Sequence, residues 1–96
     1  VKKRDAFKRE FATIRGLVNA WDPIGLIACG CPEDEYDCIT NRLLSLLYQD
    51  ASDPEIQHLL LQFIPEHFGV PLNADVLRFN RDLRASWARQ IKGGGG

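Results

Sequence analysis

Apolar residues recur in this chain at helical spacing and nowhere at strand spacing. Phe7, Phe11, Ile14, Val18 and Trp21 follow one another at intervals of four, three, four and three, which puts them on one face of a helix. Tyr36, Ile39, Leu43, Leu46 and Leu47 make a second stripe. Ile56, Leu59, Leu60, Phe63 and Ile64 make a third, and Leu72, Val76, Phe79 or Asn80, Leu83, Trp87 and Ile91 a fourth. No stretch alternates apolar and polar residues with period two. The pattern therefore predicts an all-α fold, a compact bundle of about four helices. A length of 96 residues suits one small core, so residues 1–92 read as a single helical domain and Gly93–Gly96 as a flexible tail.

Proline, glycine and capping residues set the expected boundaries. The first helix covers about 3–20 and stops before Pro23, which disfavours helical geometry at Asp22; the Asp22 side chain is placed to cap the turn beginning there. Residues 24–31 are too apolar for a solvated loop and too rich in glycine for a stable helix, so a buried connection is expected. Pro32 reads as the first position of the second helix, with Glu33, Asp34 and Glu35 in its first turn, where negative charge suits the helix dipole; this helix runs to about Gln49. Ser52-Asp53-Pro54-Glu55 is a second start signal, offering a capping aspartate, a proline at the first position and a glutamate three residues after the serine. Pro65 is expected to kink or restart the third helix before Gly69 ends it. The fourth begins near Asn73 or Asp75.

Net charge is only −1, but its distribution is uneven. Residues 1–21 hold six bases against two acids, residues 22–75 ten acids against the single base Arg42, and residues 76–96 five bases against one acid. Basic ends therefore flank an acidic middle. Such segments partly neutralise one another when their helices pack side by side; left exposed, the acidic face steers a basic partner. The longest apolar runs, Leu26–Cys29 and Leu59–Leu61, are far shorter than the roughly 18 residues that suggest a membrane span. The charged opening residues lack a signal-peptide pattern, so a cytoplasmic protein is expected.

The side chains that carry chemistry are few. Cys29, Cys31 and Cys38 are odd in number and occur without an export signal, which speaks against a disulfide framework. Cys29-x-Cys31 is tighter than the usual zinc pair, and His58 or His67 has to come from another helix to complete a site. Packing as small apolar residues is the simpler role, with a metal or thiol-redox function of Cys29, Cys31 and Cys38 as the alternative; Cys31 gains reactivity if it lies at a helix N-terminus. The run Glu33-Asp34-Glu35-Tyr36-Asp37 lacks the pocket that acid–base catalysis requires, and neither histidine has a nucleophile beside it. Arg78, Arg81, Arg84 and Arg89 have a spacing compatible with tracking phosphates, yet the acidic middle weighs against nucleic acid. The chain reads as non-enzymatic, with no cofactor and no metal.

Trp21-Asp22-Pro23-Ile24-Gly25, followed by Pro32-Glu33-Asp34-Glu35-Tyr36-Asp37, resembles a family of small uncharacterised bacterial helical proteins, a domain of unknown function. Its members combine a Trp-Asp-Pro-hydrophobic-Gly element with a Pro-x-Asp-Glu-Tyr-Asp block at the head of the next helix. The resemblance covers roughly residues 14–69 and implies a helical bundle, an accessory or immunity-like role and no catalytic residues. Physically, Trp21 and Tyr36 are suited to packing together while Asp22, Asp34 or Asp37 accepts hydrogen bonds, locking the crossing between two helices. The same residues, Trp21, Asp22, Glu33, Asp34, Glu35, Tyr36 and Asp37, make a candidate acidic, aromatic-bearing surface for another protein with a basic face. A homodimer is also compatible with so small a core.

Overall fold

The computed structural model describes the backbone of residues 2–69, 72 and 75–95 and the side-chain environments of residues 6–69, 72 and 75–90. Four helices follow in order: α1 Lys2–Trp21, α2 Asp37–Tyr48, α3 Asp53–Phe68 and α4 Val76–Gly95. No strand occurs among the described residues. The chain is an all-α four-helix bundle. α1 packs on α2 and α4, and α3 packs on the same two helices, so the four close a ring around one core.

The helical stripes face that core. Ile14 and Val18 from α1, Ile39, Leu43, Leu44 and Leu47 from α2, Ile56, Leu60 and Ile64 from α3, and Val76, Phe79, Leu83 and Trp87 from α4 are buried. Burying each such side chain contributes on the order of 1.5–3 kcal/mol before entropy is counted. The α1 stripe is graded: Ile14 and Val18 are buried, Phe11 is half-buried, and Phe7 is exposed and rests against Phe11. On α4 the choice between Phe79 and Asn80 resolves to both, because Asn80 is buried and its Nδ2 donates to the Asp53 carbonyl at 3.3 Å. Ile91 lies outside the described side chains.

Four features of the helices differ from expectation. Pro32 does not begin α2. Residues 32–36 form successive tight turns, with Glu35 N–H donating to the Pro32 carbonyl and Asp37 N–H to the Asp34 carbonyl, and Tyr36 sits at φ −96°, ψ 10° just before the helix. Only Asp37 of the acidic run is in the first turn of α2. At α3 the cap is Ser52 rather than Asp53. Ser52 and Glu55 form a reciprocal capping box, which frees Asp53 to reach α4. Helix α3 does not restart at Pro65 but continues through it to Phe68, and Gly69 closes it at φ 70°. α4 continues as helix over Gly93–Gly95, past the end expected at Lys92.

Ion pairs join the basic ends to the acidic middle. Arg15 of α1 grips Asp37 of α2 through two hydrogen bonds of 2.9 and 2.6 Å. Arg84 of α4 binds Asp53 of α3 at 2.6 Å and also donates to the Ala51 carbonyl. Among the described residues no helix is long and apolar enough to cross a membrane.

Candidate functional site

The α1–α2 connection is organised by one carboxylate and one phenol. Asp22 takes a left-handed conformation, φ 47°, which aspartate tolerates better than most residues, and its N–H closes α1 on the Val18 carbonyl at 2.8 Å. This turn aims the Asp22 carboxylate along the loop. Its two oxygens accept from the N–H groups of Ile27 and Ala28, both at 3.0 Å, and Oδ1 also accepts from the Tyr36 hydroxyl at 2.6 Å. The Tyr36 oxygen in turn accepts from the N–H groups of Ile24 and Leu26 at 3.3 and 3.2 Å. One carboxylate and one hydroxyl thus satisfy four amides of an irregular segment and tie residue 22 to residue 36.

Burial and charge reinforce this latch. Tyr36 has no solvent exposure, and its ring packs edge-on against Phe68, with centroids 5.8 Å apart. Burial, followed by the hydrogen bond to Asp22, pushes the Tyr36 phenol up to about 12, so it remains a donor at neutral pH. At Asp22, burial pushes the pKa up, but the Tyr36 hydroxyl and the Ala28 and Ile27 amides outweigh it and hold the carboxyl below its ordinary value. The latch is therefore an ionised acceptor facing a protonated donor.

The seven residues expected to form one recognition surface divide into two groups. Asp22 and Tyr36 are consumed by the latch. Trp21 does not pack on Tyr36; it stacks on Phe79 of α4 at 4.1 Å with the rings 14° apart, and its Nε1 is buried without a partner. Asp37 is occupied by Arg15. Glu33, Asp34 and Glu35 are exposed together. Their backbone is fixed at its start by Asn19, whose Nδ2 donates to the Glu33 carbonyl at 2.8 Å, and at its end by Tyr36 and Asp37. Arg15 approaches Glu33 only loosely, at 3.9 Å, and the Glu33 side chain stays 81% exposed. Arg15 and Asn19 were not among the expected site residues. Arg15 is the only base between Arg9 and Arg42, and that isolation is the sequence signal for its pairing with the acidic block.

The connection itself is only partly buried. Pro23 is buried and Ile24, Gly25, Leu26 and Ile27 are half-buried, while Ala28, Cys29 and Gly30 form an exposed tip. Cys29 is exposed, and Cys31 and Cys38 are half-buried. Cys31 lies well before the start of α2 at Asp37, not at the helix N-terminus. Burial pushes the Cys38 thiol up, away from thiolate reactivity. Among the described residues no three His, Cys, Asp or Glu side chains gather as metal ligands. His67 stacks on Phe63 with centroids 4.9 Å apart, and His58 is exposed on α3. The α4 arginines are divided, with Arg78, Arg81 and Arg89 exposed and Arg84 engaged with Asp53.

Comparison with protein-family models, with curated proteins and with solved structures returns no match to this chain.

Proposed function

We propose that the chain is a non-enzymatic binding protein, of the accessory or immunity-like kind that its two motif blocks imply, and that Glu33, Asp34 and Glu35 contact a basic protein partner. The observation that supports this reading is the separation within the acidic run. Asp37 is neutralised by Arg15, and α2 begins too late to use the preceding three carboxylates in its first turn. Those three stand on a backbone pinned from both sides, a preorganised cluster of negative charge that loses little freedom when a partner binds. Electrostatic attraction of this kind chiefly raises association rate and selects the sign of the partner.

Affinity capture from host lysate tests the proposal, comparing the native chain with a variant carrying Glu33→Gln, Asp34→Asn and Glu35→Gln. Asp37 stays unchanged so that the Arg15 pair survives, and circular dichroism checks that both chains are folded. A protein retained by the native chain, released by raised salt and lost with the variant supports the reading. Equal retention by both chains contradicts it.

A further inference from the structure

The surface between α2 and α3, away from the acidic turns, holds a groove of about 490 Å³. Its floor is apolar: Leu46 from α2 with Leu59 and Phe63 from α3, all only half-buried. Its walls carry opposite charges. On the α2 wall, Arg42 lies over the Phe63 ring with its guanidinium carbon 4.5 Å from the centroid. On the α3 wall, Glu66 is exposed. Glu55, further along that wall, is held by the Ser52 capping box. Among the described residues neither Arg42 nor Glu66 has an ion-pair partner, whereas Arg15 and Arg84 each have one within the fold.

This charge arrangement is selective about what covers the apolar floor. A partner of uniform charge meets a like charge on one wall. A second copy of the same chain, related by a two-fold axis through the groove, brings each Arg42 to the other copy's Glu66 and covers both apolar floors at once; such an isologous interface needs a surface complementary to itself. We propose that the α2–α3 groove is the interface of a homodimer, closed by two symmetry-related Arg42–Glu66 pairs around Leu46, Leu59 and Phe63. The proposal uses a different surface from Glu33–Glu35 and stands independently of the function proposed for that block.

Sedimentation velocity on the full chain, from low to high micromolar concentration, measures the association, and circular dichroism confirms that each variant is folded. The native chain is expected to dimerise. Arg42→Glu alone and Glu66→Arg alone each place like charges at both contacts and are expected to weaken dimerisation by roughly tenfold or more. Mixing the two variants restores an attractive pair at both contacts of the mixed dimer, as does the double variant Arg42→Glu/Glu66→Arg in its own homodimer, so both are expected to recover association. A native chain that stays monomeric throughout overturns the proposal, as does dimerisation unaffected by either single variant. Loss in the single variants without recovery in the mixture and the double variant also overturns it, because Arg42 and Glu66 then do not act as a pair.

Discussion

The connection before α2 covers residues 22–36 and the one after it residues 49–52, and both must satisfy backbone groups that no helix pairs. The shorter one does so locally. Ser52 and Glu55 exchange hydrogen bonds across three residues, and Asp50 supplies a positive φ of 58° at the turn. The longer one relies on a contact between residues fourteen apart, Asp22 and Tyr36, with the phenol fully buried. A local cap only starts a helix. The distant latch fixes an irregular segment, and that segment sets where Glu33, Asp34 and Glu35 stand.

The largest expected effect belongs to Tyr36. Tyr36→Phe keeps the ring but removes the donor to Asp22 and the acceptor for Ile24 and Leu26, and it is expected to destabilise the fold by about 3 kcal/mol in urea denaturation. Asp22→Asn keeps a residue tolerant of positive φ while removing the charge, for an expected loss of about 2 kcal/mol. Titration sharpens the contrast further. Because the folded-state pKa of Asp22 is depressed, its contribution is present above the ordinary carboxylate range and lost as the pH falls below about 4. Because that of Tyr36 is raised to about 12, its contribution is present below the ordinary phenol value and lost as the pH climbs from about 10 towards 12. Thermal melts across pH should show both losses in the native chain, and the alkaline one should shrink in Tyr36→Phe.

The local cap should matter less. Ser52→Ala is expected to cost about 1 kcal/mol in the same denaturation experiment, with no change at the acidic turns. Arg15→Ala breaks a half-exposed pair and should have a smaller effect that fades as salt is added. The smallest effect belongs to the combined Glu33→Gln, Asp34→Asn, Glu35→Gln variant, whose stability should stay within about 0.5 kcal/mol of the native chain. A large loss there would assign those acids to the fold rather than to display.

The same division between local and distant determines what can be read in the sequence. The four apolar stripes and the Ser52–Glu55 box are legible because periodicity and capping act over three or four residues. The start of α2 is misread for the same reason. Pro32 followed by three acids is a sound local start signal, but Tyr36 is drawn to Asp22 and the intervening residues close into turns. Pairing Trp21 with Tyr36 fails because Phe79, on a helix more than fifty residues away, offers the indole a parallel face. Asp22 as a hydrogen-bond acceptor is legible, since its neighbour Pro23 ends the helix. Which acids stay free is not, because that depends on Arg15 and Asn19 reaching across from α1.

The most direct test of the latch is a double-mutant cycle in urea denaturation with Asp22→Asn, Tyr36→Phe and the two combined. A coupling energy of at least about 1 kcal/mol is expected, the double variant losing clearly less than the two single losses added together. Additivity within about 0.3 kcal/mol would contradict it, showing that the carboxylate and the phenol stabilise the fold separately.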